Sequence, residues 1–536
     1  MTRRIGGMLF TLCALAGCGG GGSDATQASP QALAAQRIPP NPPPPANPNS
    51  PPPQNPPPAA QPPAQNPPPP PAANGTLDQQ LRGLIMQQNL TGDPSTGRNL
   101  PTLDSPLAQL GMRLFFSKTL GGEFAVACAT CHHPDLAGTD RLSMPVGVGA
   151  VDPDLLGPGR NRPDDLPNVP RNAPTTFNVA MWDRFLFDDG RIESLAPRRG
   201  ANGAAGPIRT PDSPFGSADP AAGPNLPAAQ SRFPVTSTTE MRDDLLPSQS
   251  NDAVRDALAA RFRTSQWLPL FQAAYGNGDA QTLVTYSHIA EAIAAYERSQ
   301  VLVDTPWRDY VAGNNVAISD AAKRGAIVFL LPANNGGAGC SGCHRGDFFT
   351  DENFHTIAIP QIGPGKGDGT TADDDFGRAR ESGDANDKYQ FRTPSLLNVA
   401  ITAPYDHDGA FATLTDVLRH YRNPQDATGY VANHRWCDLP QFASLPRAQC
   451  EGLYPDAGAN TQAALAKLQT DRQARRRALP PINISDAQIA DIISFLQTLT
   501  DRCAADATCV HRWVPPRDGG PDQHQLDAVT ENGDPL

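Results

Sequence analysis

The pentapeptide Cys128-Ala129-Thr130-Cys131-His132 recurs later in the chain as Cys340-Ser341-Gly342-Cys343-His344. Two thiols separated by two residues and followed at once by a histidine form the attachment signature of c-type haem. The thiols bond covalently to the porphyrin, and the histidine (His132 or His344) ligates the iron. A redox-active cysteine pair, half of a zinc site and coincidence are the alternatives. The repetition predicts two covalently bound haem c groups.

Each motif lies between two predicted amphipathic helices. Ser105-Pro106 and Ser319-Asp320 are typical helix starts ahead of the motifs, and Ser485-Asp486 is typical of the start of the last closing helix. The apolar positions of the four helices are Leu107, Leu110 and Leu114; Ile289, Ile293 and Tyr296; Ala322, Ala326, Phe329 and Leu330; and Ile489, Ile492, Ile493 and Leu496. The pattern predicts a mainly α fold with two cytochrome c-like haem domains in tandem, at 76–312 and 313–500. The tail, 501–536, has no recognisable chemistry.

The N-terminus is typical of an exported lipoprotein. Thr2-Arg3-Arg4 precedes an apolar stretch too short to span a bilayer, and Leu15-Ala16-Gly17-Cys18 resembles a bacterial lipobox. We expect 1–17 to be a lipoprotein signal peptide and Cys18 to carry the lipid anchor. The alternative is an ordinary secretory signal. Gly19, rather than Asp, favours the outer membrane, so the predicted location is the periplasm, anchored to that membrane.

A proline-rich linker follows over 18–75. Between Pro39 and Pro71, 20 of 33 residues are proline, which excludes helix, central strand and core. We expect a disordered tether that favours polyproline II, although the prolines could instead bind a partner's groove. The rest of the chain, with 39% hydrophobic and 18% charged residues overall, is typical of a soluble globular protein. A net charge of −12 argues against a nucleic-acid partner.

Four cysteines remain outside the motifs, the signal peptide and the lipid site. An exported chain favours disulfide bonds. Proximity suggests that these cysteines pair in sequence order, although four cysteines allow three pairings. They are Cys437 and Cys450, and Cys503 and Cys509.

Several further stretches between Leu103 and Leu499 surround the two motifs in a specific order. They are Leu110-Gly111 through Leu114-Phe115-Phe116, Arg171-Asn172-Ala173-Pro174-Thr175, Asp189-Gly190-Arg191, Glu240-Met241, Asp347-Phe348-Phe349-Thr350-Asp351, and Phe391 through Ala400 continuing as Thr402-Ala403-Pro404-Tyr405-Asp406-His407-Asp408-Gly409. Together they resemble the bacterial di-haem cytochrome c peroxidases and their MauG-like relatives.

This resemblance implies a division of labour. The first haem would react with hydrogen peroxide, and the second would receive electrons from a small donor protein, a cytochrome c or a cupredoxin. A calcium ion between them would be held by the Asn172 side chain and the carbonyls of Thr402 and Pro404. Alternatively, Asn172 only caps a turn. A homodimer is left open.

The second haem's sixth ligand is methionine in many relatives, but none of the seven methionines lies after Met241. Tyr421 falls where the family places this ligand, and MauG-like enzymes have tyrosine there. A phenolate lowers the reduction potential of the iron. Neighbouring His420 is the rival, and a third reading has neither residue as ligand.

The far side of the first haem is predicted to be open. Relatives that block it use a histidine shortly after the first motif, and 139–171 contains none. The resemblance makes Glu240 the acid–base group for peroxide; the alternative is a solvated surface glutamate.

The chain departs from the family at two positions. The family's relay tryptophan is Asp188 here, with Trp182 nearby, and its distal glutamine aligns loosely with Arg198. We interpret His407 as structural.

Three functions follow. The first is an oxidoreductase that reduces hydrogen peroxide with electrons from the donor protein. The second is a MauG-like enzyme that uses peroxide to oxidise side chains of a partner protein. The third is a non-catalytic di-haem electron carrier, which an open first site disfavours.

Overall fold

The chain is mainly helical, as the sequence predicts, in a computed structural model that describes the backbone of residues 74–536 and the side chains from residue 77 onward. The α-helices are α1 (Asn74–Gln87), α2 (Pro106–Phe115), α3 (Cys128–Cys131), α4 (Leu226–Gln230), α5 (Asn251–Arg261), α6 (Leu268–Tyr275), α7 (Ala280–Leu283), α8 (Tyr286–Ser299), α9 (Pro306–Val311), α10 (Asp320–Leu330), α11 (Ala379–Ser382), α12 (Leu414–Arg422), α13 (Asp426–Ala432), α14 (Arg447–Glu451), α15 (Ala457–Gln473), α16 (Asp486–Gln497) and α17 (Ala507–Val510). The predicted signal peptide, the anchor cysteine Cys18 and the tether up to residue 73 lie outside the described residues.

The predicted helical frame around the motifs is confirmed. Helix α2 begins behind Ser105, whose hydroxyl accepts the Ala108 N–H at 3.3 Å, and α10 begins behind Ser319 in the same way. The closing helices are α8 and α16, and Ser485 caps α16 with reciprocal bonds to Gln488. Such caps each contribute about 1 kcal/mol and fix where a helix starts.

A glycine lies where each opening helix crosses its closing helix. A Cβ on Gly111 of α2 would lie 1.8 Å from the Ala292 carbonyl oxygen of α8. A Cβ on Gly325 of α10 would lie 1.9 Å from the Asp491 carbonyl oxygen of α16. Only glycine permits backbones to approach this closely. The same crossing therefore occurs once in the N-terminal half, 103–312, and once in the C-terminal half, 313–500.

Two small antiparallel sheets complete the secondary structure of the described residues. Strands β1 (Phe185–Leu186), β2 (Ile192–Ser194) and β3 (Ile208–Arg209) lie in sequence order, and β4 (Phe354–Thr356) pairs with β5 (Gln390–Arg392). In the second sheet His355 lies opposite Phe391. The pairing places the segment after the second motif beside the start of the Phe391–Ala400 stretch.

Each end of the described chain packs against the half of the protein that is farther from it in the sequence. Helix α1 packs on α10, where Asp78 forms an ion pair with Lys323 at 3.0 Å. The C-terminal tail, 501–536, crosses to the N-terminal half, where the Leu526 N–H donates to the Phe116 carbonyl at 2.8 Å and buried Trp513 lies in the same core as α2 and α8. The sequence does not predict either crossing. The proposed domain bounds, 76–312 and 313–500, remain a prediction.

The two disulfide bonds suggested by proximity are confirmed, as Cys437–Cys450 and Cys503–Cys509. The first lies in a compact segment of the C-terminal half, residues 434–457, which we call the disulfide lobe. Trp436 and Phe442 form its core, and Met144 of the N-terminal half belongs to the same cluster. Among the described residues, no helix is both long enough and apolar enough to cross a membrane.

Candidate functional site

One continuous cavity joins the two repeated motifs. Its walls include both cysteines and the histidine of each motif: Cys128, Cys131, His132, Cys340, Cys343 and His344. None of these four cysteines takes part in a disulfide bond. The structure thus brings together all six residues predicted to attach and ligate haem.

The two histidine rings are oriented in the same way. Nδ1 of His132 lies 3.2 Å from the Gly138 carbonyl oxygen, and Nδ1 of His344 lies 3.1 Å from that of Phe349. A ring that donates from Nδ1 presents Nε2 as the free electron pair. Burial lowers the pKa of both rings, to about 4 for His344. Each imidazole is therefore neutral at pH 7, the form that ligates a metal.

The thiols fit haem attachment better than the alternatives. Burial raises the pKa of Cys340 to about 12 and also raises that of Cys128. A redox-active cysteine needs the opposite shift. Within 77–536 there is no group of three or more His, Cys, Asp or Glu side chains placed to hold a metal ion, so neither motif is part of such a zinc site. The residues present therefore fit covalent haem.

Glu240 lines the same cavity as His132. It belongs to a π-helical turn, Thr238–Arg242, whose start is capped by the Ser237 hydroxyl, and its side chain is half-buried. Gly147 packs directly on this turn, since a Cβ there would lie 2.2 Å from the Thr239 carbonyl oxygen. The glutamate is thus held on a fixed turn at the cavity, and the reading as a solvated surface residue is not supported. Arg198 is exposed and does not line the cavity.

Tyr421 and His420 are neighbours on α12, and their side chains point in different directions. Tyr421 lines the cavity, and the charges of Asp406, Cys343 and Cys340 add to burial in raising the pKa of its phenol. His420 instead points to the Ile357 carbonyl oxygen, with Nε2 at 2.9 Å. Of the two candidates for sixth ligand, only the tyrosine faces the second motif.

The three residues expected to hold calcium all line the cavity. The Asn172 side-chain amide donates to the Leu142 and Ser143 carbonyls, at 2.8 and 3.2 Å, which leaves its Oδ1 for another partner. The Asn172 N–H donates to the His407 carbonyl at 2.8 Å and so ties this loop to the segment that carries Thr402 and Pro404. The ring of His407 stacks on Phe391 with centroids 3.7 Å apart, in keeping with a structural residue.

Trp182 and Asp188 also line the cavity between the motifs. The Arg392 guanidinium lies 3.5 Å from the centroid of the Trp182 ring. The edge of that ring meets Phe348, close to the second motif, at a centroid distance of 5.0 Å. Burial raises the pKa of Asp188. The Trp182 ring thus lies between the two motifs, and the Arg392 guanidinium covers one of its faces.

Sequence reasoning missed a buried ionic network on the cavity wall. Arg171 binds Asp375 through two hydrogen bonds of 2.7 and 2.8 Å and Asp189 at 2.6 Å, and Arg191 pairs with Asp189 at 3.0 Å. Lys366 reaches the same wall. Asp375 and Lys366 belong to loop 363–375, outside the stretches that carry the family resemblance, so only tertiary structure reveals them.

A second missed group adjoins Cys343. Its sulfur lies 3.8 Å from Nδ1 of His355, and Nε2 of that ring lies 2.9 Å from Asp351. Burial alone would lower the pKa of His355, but the hydrogen bonds and charges of Asp351 and Cys343 outweigh it and raise the pKa to about 9. A cation therefore lies beside the second motif at pH 7.

Comparison with known proteins agrees with this site. The family model described as di-haem cytochrome c peroxidase matches residues 105–316. The methylamine utilization protein MauG of Methylorubrum extorquens is 30% identical over 58% of this chain and 67% of its own length. The cytochrome c551 peroxidase of Pseudomonas aeruginosa is 27% identical over 59% of this chain and 72% of its own.

Among solved structures, the diheme peroxidase BthA of Burkholderia thailandensis aligns with a TM-score of 0.46 and 23% identity, over 80% of this chain and 92% of that one. The sequence relatives, the family match and the two haem-attachment motifs on one cavity agree: the chain belongs to the di-haem cytochrome c peroxidase family, which includes MauG, and is an oxidoreductase of that family.

Proposed function

We propose that the protein is a periplasmic, lipid-anchored di-haem peroxidase. It reduces hydrogen peroxide with electrons from a small donor protein, a cytochrome c or a cupredoxin. The observation that carries the proposal is the single cavity, on which both motifs, Glu240 and Tyr421 converge. Cys18 attaches the protein to a membrane, preferably the outer one, and the proline-rich linker separates the folded body from it.

Two cytochrome c-like domains in tandem each hold one haem. Cys128 and Cys131 bind the first haem, and Cys340 and Cys343 bind the second. The haems supply the iron centres for peroxide reduction and for electron relay. The protein orients the two histidine ligands. The Gly138 carbonyl binds Nδ1 of His132 and the Phe349 carbonyl binds Nδ1 of His344, so that Nε2 of each ring faces the cavity.

Glu240 moves the protons at the first site. Its carboxylate accepts a proton from one peroxide oxygen and delivers it to the other, which leaves as water. A carboxylate suits both steps only if it is fixed. The capped turn at Ser237 and the close packing of Gly147 on Thr239 hold it at the cavity.

Tyr421 would bind the iron of the second haem through its phenol oxygen, since its side chain lines the cavity with the second motif. Asn172, Thr402 and Pro404 hold calcium through oxygen atoms, which suit this hard cation. Asn172 supports this role because its amide nitrogen is already engaged by two carbonyls, so that its oxygen is available.

A MauG-like oxidase of partner-protein side chains is the second candidate. Two observations favour it: Tyr421 faces the second motif, and a MauG protein is 30% identical. One position counts against the MauG-like oxidase. Asp188 lies where the family has the tryptophan that relays electrons between the haems. A non-catalytic carrier is disfavoured by Glu240 on the cavity beside the first motif.

The test is to add one equivalent of peroxide to the diferric holoprotein and to follow visible and electron paramagnetic resonance spectra. We expect one high-spin and one low-spin haem and a rapid change before any reductant is added. Glu240→Gln should slow that change by about 100-fold or more. Glu123→Gln, an exposed glutamate of the same half, is the matched control.

Two low-spin haems that do not respond to peroxide would contradict the open first site and favour the carrier. If peroxide reacts, catalytic turnover with reduced cytochrome c separates a peroxidase from a MauG-like oxidase, which would instead modify a partner protein.

A further inference from the structure

Lys366 is a cation that the C-terminal half contributes to the cavity wall shared with the first motif. Loop 363–375 carries it, and the same cavity is lined by Glu240 and His132 of the N-terminal half. Gly363, in the same loop, packs against the sulfur of Met144. Met144 lies in the segment that follows the first motif. Loop 363–375 therefore reaches the N-terminal half near Glu240.

The backbone of this loop is fixed on both sides of Lys366. The Lys366 N–H donates to the Asp374 carbonyl at 2.9 Å. Gly365 has a φ of +66°, and a Cβ there would lie 2.2 Å from the carbonyl carbon of Asp373. Asp375, at the end of the loop, binds Arg171 through two hydrogen bonds. A loop held in this way presents its lysine at one place rather than sampling many.

The Lys366 ammonium has no partner within 77–536, whereas the two neighbouring arginines on the wall, Arg171 and Arg191, are paired with carboxylates. Arg171 binds Asp189 and Asp375, and Arg191 binds Asp189. Arg392 donates to the Phe187 carbonyl at 3.0 Å. A half-buried cation without a carboxylate partner is available to an anion in the cavity.

We propose that Lys366 is an electrostatic residue of the peroxide site, an inference that rests on the proposed function. It attracts anionic ligands to the first site, and it stabilises the negative charge that develops on the leaving oxygen while Glu240 moves the proton. In the overall reaction one hydrogen peroxide takes up two electrons, from the donor protein, and two protons, and becomes two waters. Lys366 donates hydrogen bonds and keeps its protons throughout.

The charge on Lys366 gives the proposal a pH signature. Burial and the charges of Arg191 and Arg171 lower the pKa of this lysine to about 8, although Glu240 and Asp189 act in the opposite direction. These four groups are the charged neighbours with the largest effect on its pKa. The cation is present at pH 7 and is lost as the pH rises through about 8.

The experiment is an azide titration of the diferric holoprotein, followed by visible absorption. Lys366→Met should weaken azide binding about tenfold at pH 6.5, because a nearby positive charge is removed. Lys366→Arg should retain the affinity and should keep it above pH 8, where the wild type loses it. Lys388→Met, a lysine of the same half that does not line the cavity, should behave as wild type. Lys366→Gln provides a second neutral side chain.

The inference is overturned if both neutral variants bind azide as tightly as the wild type while the wild type binds azide and consumes peroxide. A wild type that does neither would contradict the proposed function itself, and so the two failures are distinguishable. The role of Lys366 is supported if the two neutral variants lose azide affinity and react more slowly with peroxide, and if Lys366→Arg restores both properties.

Discussion

Gln441 of the disulfide lobe binds both backbone groups of Met144. Its side-chain oxygen accepts the Met144 N–H at 3.1 Å, and its nitrogen donates to the Met144 carbonyl at 2.7 Å. Met144 follows the first motif and adjoins Pro145, which lines the cavity. The lobe therefore holds in place the segment that follows the first motif and reaches the cavity wall at Pro145.

Gln441→Ala should release this segment. Two hydrogen bonds are lost, so we expect the free energy of unfolding to fall by about 2 kcal/mol and the Met144 amide to exchange faster with solvent. Hydrogen exchange read by mass spectrometry, with urea unfolding, measures both. Gln449→Ala, a lobe glutamine whose side chain makes no hydrogen bond among the described residues, is the control. Unchanged exchange at Met144 would show that other contacts hold the segment.

Tyr421→Phe should raise the reduction potential of the second haem, on the order of 100 mV within the ~0.8 V range that axial ligands span. The phenyl ring fills the same space but offers no oxygen to the iron. His420→Gln, whose side chain can still reach the Ile357 carbonyl, should leave the potential near the wild-type value. A redox titration of each holoprotein measures this. If the two variants show the reverse pattern, the tyrosine is not the ligand.

Gly111→Ala and Gly325→Ala should each destabilise their own half. The added methyl would meet a backbone oxygen at 1.8 or 1.9 Å, and neither helix can move without opening its core. We expect a loss of about 3 kcal/mol or more in the free energy of unfolding. Gly83→Ala in α1 meets no atom within 4 Å and should instead gain up to ~1 kcal/mol. Equal urea midpoints for all three variants would contradict the close crossing.

The ion pair of His355 and Asp351 should make stability depend on pH. The pKa of His355 is about 9 in the folded chain, above its ordinary value near 6.5. Its contribution is therefore complete below about pH 6.5 and is lost as the pH rises through about 9. We expect His355→Gln to cost about 2 kcal/mol at pH 6 and almost nothing at pH 10. Urea unfolding at several pH values measures the difference, and a constant difference would refute the pairing.

Local signals explain what the sequence predicts well. Caps such as Ser105 and Ser485 and the apolar periodicity of the four helices are short-range patterns, and the structure confirms the elements they indicate. Each motif predicts its own haem-attachment residues in the same way, because its thiols and its histidine are adjacent in the chain; that both motifs line one cavity appears only in the structure. Tyr421 is different, because the family resemblance and not a local pattern singles it out, and the packing of α12 brings it to the cavity.

Contacts between residues far apart in the chain leave no such short-range pattern in the sequence. Lys366 lies in a loop of glycines and aspartates that has no periodicity, and its place on the cavity that Glu240 also lines depends on the packing of the two halves. The tail is similar: Asp522 accepts hydrogen bonds from Thr119 and from the buried Trp267, at 2.7 and 2.8 Å, across a separation of several hundred residues. Nothing near Asp522 in the sequence indicates these partners.

The crossing of the chain ends has a consequence for biogenesis. Leu526, Ala528 and Trp513 belong to the core that holds α2 and α8, so that core lacks part of its apolar surface until residues 513–528 have been synthesised. The N-terminal half should therefore complete its folding only after the C-terminal tail has been synthesised, although it emerges first. Cys128 packs against the same core, so the first motif should stay more exposed to solvent until the tail arrives and completes that core.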